Sequence, residues 1–301
     1  MKSLIILIAN PAAQRASEKK VAMASYYLQS KGHEVEILFT DKRGDAEELA
    51  RKSLYRRPSL IIAAGGDGTF NEVVNGIAGD EIPMAILPLG TTNVLARELG
   101  IPENVQGAME KALRKNPHKV ALGKITLTES LPPLSRFFIL MAGIGYDGMA
   151  VQGTDKMLKK LSGQGAYIYS GMKTLLHFHP SLLTFTIDGK HYEGYSGIIG
   201  NAAKYGGAFS VTPDAHLSEP FLYICIFKGR RRIDIARYVF GILTGTHLKY
   251  RDIEYHRAEQ VTITGSAHIT GCCRAGLDGD SRVAEAVSVT ILIPGREGKI
   301  L

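Results

Sequence analysis

The first 120 residues alternate short apolar runs with segments of helical periodicity, and this alternation limits the folds open to the chain. We predict strands at 4–9, 35–39, 60–64 and 84–87, and helices at 17–31, 45–56, 70–78, 94–99 and 104–115. Strands and helices that alternate along a chain favour parallel strands joined by crossover helices. We therefore predict an N-terminal α/β domain over residues 1–120, with helices flanking a parallel sheet.

The pattern changes after about residue 120, where strand-like runs dominate. We predict strands at 124–128, 137–142, 182–187, 197–199, 221–227, 261–264 and 287–293, interrupted by helices at about 155–177 and 233–244. Turn signals such as Asp188-Gly189 separate the runs, which is typical of antiparallel sheets. The sequence thus predicts a β-rich second domain over residues 121–293.

A loop rich in glycine follows the third predicted strand and reads Gly65-Gly66-Asp67-Gly68-Thr69. Ligands of open α/β sheets bind at the carboxyl ends of strands. Glycines let the backbone approach a phosphate, and the helix that follows presents free N–H groups. No Lys follows, so this is not a Walker A loop, and Asp67 fits only if it meets Mg²⁺, a ribose hydroxyl or another donor. The alternative is a tight turn with Asp67 as helix cap, which the full string disfavours.

Two further loops leave predicted strands in the same manner. One runs through Gly90, Thr91 and Asn93 after the fourth strand, and the other is Asn10-Pro11-Ala12-Ala13 after the first. Each alone is an ordinary turn. Because parallel strands place their carboxyl ends on one edge of the sheet, the three loops together predict a cleft.

These segments resemble the diacylglycerol kinase catalytic domain family, in particular the soluble bacterial lipid kinases related to sphingosine kinases. GGDGTFNEVVNG at 65–76 resembles the nucleotide-loop signature of that family, and LPLGTTN at 87–93 its second loop. NPAA at 10–13 resembles its NPxAG segment without the glycine. Further resemblances follow in order at 143–147, 200–215 and 276–280, so the likeness covers almost the whole chain.

The resemblance implies an ATP-binding α/β domain like those of NAD kinases and phosphofructokinases, and a β-sandwich-like domain for a lipid acceptor. It also implies that a tail of about residues 294–301 returns to the first domain. By matching positions, it assigns ATP contacts to Asn10, Thr40, Gly65, Gly66, Asp67, Gly68, Thr69, Asn71 and Thr91. It assigns the catalytic base to Asp280, and we predict that Asp67 organises the ATP-bound Mg²⁺. A second-domain metal site maps to His216, Glu219 and Phe221.

The sequence departs from the family pattern at three of these places. Asp280 stands where the family usually has Glu, which is one methylene longer. Val94 stands where the second loop usually has Asp, so a carboxylate is lost there. Glu219-Pro220 replaces the usual Asp-Gly of the metal loop, and Pro fixes φ and lacks an N–H.

The function implied by the resemblance is transfer of the γ-phosphate of ATP to a lipid hydroxyl, with diacylglycerol converted to phosphatidic acid. A sphingoid base or phosphatidylglycerol is an alternative acceptor, and an NAD kinase is a weaker alternative. An alternative from a different class of protein is a nucleotide-binding regulator that has lost catalysis. The three departures from the family pattern leave this alternative open. Transfer of labelled phosphate to a lipid panel distinguishes these.

The formal net charge of +7 suits an anionic partner. The clearest basic cluster is Lys228-Gly229-Arg230-Arg231-Arg232, which we interpret as a solvated turn before a helix, with contact to anionic lipid as the alternative. No basic stripe with interleaved aromatic residues is found, which disfavours a nucleic-acid partner. The expected partners are a lipid substrate and an anionic membrane surface, contacted peripherally. Strand edges of the second domain would allow a homodimer.

The three cysteines indicate neither a disulfide framework nor zinc-ligand spacing, and a reducing cytoplasm is the expected location. No stretch reaches the ~20 apolar residues that span a bilayer. A lipid substrate would therefore be reached from the membrane surface.

Overall fold

The computed structural model describes residues 3–13, 17–114, 117–127, 134–145, 180–205, 209–265, 269–271, 287–292 and 297–300. The chain divides into two compact units. One comprises residues 1–121 together with 296–301, and the other residues 122–295. The first unit is therefore discontinuous in sequence, and the second is inserted between its two parts.

The first unit contains a six-stranded sheet in the order β2-β1-β3-β4-β19-β5. Its strands are β1 (Leu4–Ala9), β2 (Glu34–Phe39), β3 (Leu60–Gly65), β4 (Met84–Pro88), β5 (His118–Ala121) and β19 (Glu297–Ile300). Strands β1 to β4 are parallel, as the sequence predicts. Strand β19 pairs in parallel with β4 and antiparallel with β5. Because the chain passes from β1 to β2 on one side and returns to β3 on the other, the topological switch point lies between β1 and β3.

Five helices accompany this sheet. They are α1 (Ser17–Ser30), α2 (Asp45–Ser53), α3 (Asp67–Ile77), α4 (Val94–Glu98) and α5 (Val105–Ala112). Strands β3 and β4 are buried along their whole length, which explains their continuous apolar runs. Helix α3 begins at Asp67, three residues before the predicted start at residue 70. The turn after β3 is thus a single residue, Gly66, and most of the predicted loop is the first turn of a helix.

The described residues of the second unit form antiparallel strands in three sheets. Six strands form the order β10-β9-β16-β18-β6-β7, five form β15-β14-β11-β8-β17, and β12 pairs with β13. Their bounds are β6 Gly123–Leu127, β7 Leu134–Phe138, β8 Met141–Gly145, β9 Leu183–Ile187, β10 Lys190–Gly194, β11 Ser196–Gly200, β12 Lys204–Tyr205, β13 Phe209–Ser210, β14 Leu222–Phe227, β15 Ile253–Ala258, β16 Gln260–Gly265, β17 Ile269–Gly271 and β18 Val287–Leu292. A core of apolar side chains from the two larger sheets includes Phe185, Ile224 and Ile291. The predicted β-rich second domain is confirmed.

One strand prediction in this unit is wrong. Residues 137–142 do not form one strand, because the chain bends at Ile139 and Leu140 between β7 and β8, which belong to different sheets. Asn201 holds the bend, since its Nδ2 donates to the Ile139 carbonyl at 2.7 Å and its N–H donates to the Leu140 carbonyl at 2.8 Å. The continuous apolar run at 137–142 is therefore shared between two strands, β7 in one sheet and β8 in the other.

Helix α6 (Arg232–Thr244) follows β14 and ends at Gly245, which adopts the left-handed conformation favoured by glycine. It buries Ile235, Tyr238 and Gly241 against the unit. The helix predicted at 155–177 lies outside the described residues. Within the described ranges, no helix combines the length and apolar character needed to cross a bilayer.

Candidate functional site

The carboxyl ends of β2, β1, β3 and β4 lie side by side on one edge of the first sheet. Hydrogen bonds join the residues that leave these strands to the neighbouring strand. The N–H of Thr40 donates to the Ala9 carbonyl at 3.0 Å, and the N–H of Asn10 donates to the Ala64 carbonyl at 2.9 Å. The predicted residues Thr40 and Asn10 therefore lie at the same edge as the glycine loop.

The switch point itself carries Asn10 and Thr69. The Asn10 Nδ2 donates to Thr69 Oγ1 at 3.4 Å, and the Asn10 Oδ1 accepts from the N–H of Ala12 at 3.0 Å. Thr69 is buried against Gly65, where a Cβ atom would lie 2.4 Å from Thr69 Oγ1. Only glycine leaves room for this contact, so the string Gly65 to Thr69 is shaped by packing as well as by any ligand.

Helix α3 presents its N-terminus at this point of the edge. Gly66 is the extended residue before the helix, and Asp67, Gly68 and Thr69 form its first turn. N–H groups in a first turn have no carbonyl partner within the helix, which makes the position suited to an anion. Gly68 is exposed, and a Cβ atom on it would meet nothing within 4 Å. There is accordingly space for a phosphate beside Gly68.

The loop after β4 packs directly on the loop after β3. The N–H groups of Leu89 and Gly90 both donate to the Gly65 carbonyl, at 2.7 and 3.0 Å. A Cβ atom on Gly90 would lie 2.7 Å from the Gly66 Cα, so the two backbones approach closely at this pair of glycines. The sequence predicts two neighbouring loops, and the structure joins them through their backbones.

Asn93 closes the second loop into a small ring. It adopts the left-handed conformation (φ 47°) that Asn tolerates, and it precedes α4. Its Oδ1 accepts from the N–H of Gly90 at 2.9 Å, and its Nδ2 donates to the Gly90 carbonyl at 2.8 Å. Thr91, a predicted ATP contact, lies exposed on this ring.

Asp67 connects the two loops through its side chain. Its Oδ2 accepts from the N–H of Val94 at 3.0 Å, and its Oδ1 accepts from the N–H of Leu95 at 2.9 Å. The carboxylate therefore caps α4, and it also accepts a hydrogen bond from the N–H of Asp67 itself. Burial raises the pKa of Asp67, and the N–H groups of Leu95 and Val94 offset part of that rise. A carboxylate is also a ligand suited to Mg²⁺.

Glu72 is a residue of this region that sequence reasoning missed. It lies buried on α3, and its carboxylate accepts backbone hydrogen bonds from Gly44 and Ala46 at the start of α2. Burial raises the pKa of Glu72, and these hydrogen bonds oppose the rise. The carboxylate thereby ties the helix that follows the glycine loop to the segment that follows Thr40. Asn71, a predicted ATP contact, is buried beside it on the same helix.

The predicted second-domain metal residues form a turn, in which the N–H of Glu219 donates to the His216 carbonyl at 3.0 Å. The Glu219 carboxylate lies 3.7 Å from the Arg257 guanidinium, which also stacks 3.6 Å from the centre of the Phe221 ring. A guanidinium therefore already faces the Glu219 carboxylate. Among the described residues, no group of three His, Cys, Asp or Glu is placed to hold a metal ion.

The metal assignment of His216, Glu219 and Phe221 stays a prediction. The predicted base, Asp280, lies outside the described residues. The structure therefore brings together the predicted nucleotide residues of the first unit, and it leaves the assignment of the base to the sequence.

Comparisons with known proteins cover both units. Residues 4–125 match the model of the diacylglycerol kinase catalytic domain, and residues 141–295 match that of the YegS C-terminal NAD kinase beta sandwich-like domain. The chain is 31% identical over 280 residues to a protein of Bacillus subtilis (strain 168) named diacylglycerol kinase, which covers 91% of this chain and 88% of that protein.

Two solved structures share the fold. A diacylglycerol kinase from Bacillus anthracis str. Sterne superposes with a TM-score of 0.70 at 24% identity, covering 96% of this chain and 94% of that one. Yeast NADH kinase complexed with NADH superposes with a TM-score of 0.55 at 11% identity, covering all of this chain and 83% of that one. The predicted combination of an α/β unit with an antiparallel β-rich unit is therefore an arrangement that occurs in solved kinase structures.

Proposed function

The chain belongs to the diacylglycerol kinase catalytic domain family, which makes it a phosphotransferase, and on that basis we propose that it transfers the γ-phosphate of ATP to a lipid hydroxyl. The part of the proposal that concerns ATP binding is supported by the edge of the first sheet, where the loops after β3 and β4 are joined through their backbones. There Asn10, Gly66, Gly68 and Gly90 lie around the N-terminus of α3. The switch point of an open α/β sheet is where such a ligand binds.

Each part of the edge has a role in this proposal. The N–H groups of the first turn of α3 bind phosphate oxygens, and Thr40, Asn71 and Thr91 complete the ATP contacts. Asp67 holds the second loop in place, and its carboxylate would hold the Mg²⁺ that accompanies ATP. Mg²⁺, when bound with ATP, supplies positive charge that offsets the charge on the transferring phosphoryl group.

Asp280 is the proposed general base. Its carboxylate takes the proton of the lipid hydroxyl as that oxygen bonds to the γ-phosphorus, and the bond from the γ-phosphorus to the bridging oxygen breaks to release ADP. The Asp280 side chain is one methylene shorter than Glu, so it holds its carboxylate oxygens closer to the backbone than the Glu that is usual in the family. We propose that the backbone around residue 280 compensates for the missing methylene.

Diacylglycerol is the proposed acceptor, giving phosphatidic acid and hence a role in phospholipid biosynthesis. Support comes from the name of the Bacillus subtilis relative, which shares 31% identity over most of both chains. A sphingoid base and phosphatidylglycerol are the alternative acceptors. We propose that the enzyme acts from the cytoplasm at the membrane surface.

The test is transfer of labelled γ-phosphate from ATP to a panel of acceptors in neutral detergent micelles. The panel contains diacylglycerol, a sphingoid base, phosphatidylglycerol and NAD. Labelled phosphatidic acid as the main product supports the proposal. Another labelled lipid would change the acceptor, labelled NADP would assign an NAD kinase, and ATP binding without any labelled product would assign a regulator.

Replacing Gly68 by alanine is expected to weaken ATP binding without lowering the stability of the fold. The added methyl group meets no protein atom, and alanine favours the helix by about 0.5–1 kcal/mol relative to glycine, so the protein should unfold at the same or a slightly higher temperature. The same methyl group occupies the space beside the N–H groups that bind phosphate. We expect ATP affinity to fall about tenfold or more, as lost hydrogen bonds to a charged group would cause, measured by calorimetry.

Gly76→Ala is the matched control, because it makes the same change in the same helix. Its Cβ atom would lie 2.5 Å from the Glu47 carbonyl oxygen on α2, so we expect a loss of stability of about 1–3 kcal/mol. ATP affinity of the folded protein should remain close to that of the wild type. Unchanged ATP affinity in Gly68→Ala would remove the α3 N-terminus from the proposed phosphate site.

A further inference from the structure

Helix α6 exposes two large apolar side chains on the face that points away from its unit. Ile233 is 69% exposed and Phe240 is 63% exposed. They are seven residues apart, which places them on the same side of the helix and about 10.5 Å apart along its axis. Ile235 and Tyr238 are buried on the opposite side. The helix is therefore covered on one face only. Its outer face carries the two apolar side chains together with Arg237, which is also exposed.

Basic residues surround this apolar face. Residues 228–252 contain seven Lys and Arg and two Asp, an excess of five positive charges, whereas the whole chain carries +7. Arg230 and Arg231 are exposed in the turn that leads into the helix, and Lys249 and Arg251 are exposed shortly after it. Most of the excess charge of the protein is thus concentrated next to the two exposed apolar side chains.

The basic turn is held in a defined position. The N–H of Gly229 donates to the Tyr238 hydroxyl at 2.7 Å, and that hydroxyl donates to Asp252 at 2.5 Å. The N–H of Arg231 donates to the Asp234 carboxylate at 3.0 Å, which caps the helix. These bonds fix the backbone from Gly229 to Arg231. The Arg231 guanidinium lies 3.5 Å from the Asp234 carboxylate and is still 80% exposed. The surface has a fixed shape as well as a charge.

We propose that the outer face of α6, together with the basic turn at 228–231, is a docking surface for an anionic lipid bilayer. The proposal deepens the proposed function, since it names how the enzyme reaches a lipid acceptor, but it rests on residues outside the nucleotide site. Phe240 and Ile233 enter the boundary between headgroups and acyl chains, and the arginines lie at the level of the lipid phosphates. Apolar residues flanked by excess positive charge match an anionic bilayer better than an acidic protein, which would not require two exposed apolar side chains along one line.

The experiment is sedimentation of the full chain with vesicles, comparing phosphatidylcholine alone with phosphatidylcholine mixed with phosphatidylglycerol. We expect binding to the anionic vesicles and its loss at high salt. The double variant Ile233→Ser with Phe240→Ser should bind about tenfold less or weaker still. Arg230→Gln with Arg231→Gln should lose about fivefold for each arginine. All four side chains are exposed, so the unfolding temperature should not change.

Met23→Ser with Tyr26→Ser is the matched control, because it removes an apolar pair of similar exposure (52% and 75%) from α1. It should bind vesicles like the wild type. No binding by the wild type, or equal binding by the Ile233/Phe240 variant, would overturn the proposal. A dimer in sedimentation velocity that this variant dissociates would also overturn it, and would assign the face to a second copy of the chain.

The kinase assay in neutral detergent micelles separates this proposal from the proposed function. The Ile233/Phe240 variant should retain wild-type transfer in micelles, where no anionic bilayer is present, and lose transfer on anionic vesicles. If no lipid is phosphorylated under any condition while vesicle binding follows the expected pattern, only the proposed function fails. If transfer occurs and the variant acts equally on vesicles, only the docking surface fails.

Discussion

Asp280→Asn is expected to lower kcat by about 10²–10⁴-fold while the Kd for ATP stays the same. The amide has nearly the same shape as the carboxylate but does not accept the proton of the lipid hydroxyl. The change therefore removes base catalysis without altering the nucleotide site. The measurement is kcat for lipid phosphorylation together with ATP binding by calorimetry. Undiminished kcat in the folded variant would exclude Asp280 as the base.

Asp280→Glu is the companion to this variant, because it restores the side-chain length that is usual in the family. If the backbone compensates for the shorter Asp, as we propose, the extra methylene displaces the carboxylate and kcat should fall. If the backbone does not compensate, kcat should rise above the wild-type value. Asp280→Glu keeps a carboxylate at this position, so its kcat should stay above that of Asp280→Asn in both cases.

Asp67→Ala is expected to lower the free energy of unfolding by about 2–4 kcal/mol and to weaken ATP binding as well. The change removes two hydrogen bonds from backbone N–H groups to a carboxylate, at 3.0 and 2.9 Å, and leaves the start of α4 without its cap. Since this carboxylate joins the two loops, its loss should also loosen Thr91 and Gly90 relative to α3. Denaturant unfolding and ATP calorimetry measure the two effects.

Asn104→Ala is the matched control, because it also removes a side chain that caps a helix. The Asn104 Oδ1 accepts from the N–H of Gly107 at 2.7 Å at the start of α5. Its loss should cost about 1 kcal/mol of stability and leave ATP affinity unchanged. Equal effects of Asp67→Ala and Asn104→Ala on ATP affinity would mean that Asp67 acts on the fold alone.

The parallel part of the first sheet could be predicted from the sequence because β3 and β4 are buried on both faces and are therefore continuously apolar. Strand β5 was not predicted, since it has four residues and its first two are exposed. Strand β19 was not predicted as a strand either, because Glu297–Ile300 has neither an apolar run nor alternation. Its place in the sheet is set by pairing with β4 and β5, which are far away in the sequence.

The loops that follow β3 and β4 could also be predicted, because glycines and hydroxyls after buried strands are local features. What could not be predicted is which side chains join those loops. Asp67 reaches Val94 and Leu95, and Glu72 reaches Gly44 and Ala46. Each pairing links a carboxylate to the N-terminus of another helix, and no spacing within a motif encodes it.

The position of β19 between β4 and β5 has a consequence for the order in which the protein can be made. During synthesis, β1 to β5 leave the ribosome long before residues 297–300, and the entire second unit is translated in between. Until then, the edge of β4 that faces away from β3 and the edge of β5 that later pairs with β19 have no partner strand. Such open edges can pair with other chains. The nascent first unit therefore stays incomplete until the second unit has been translated.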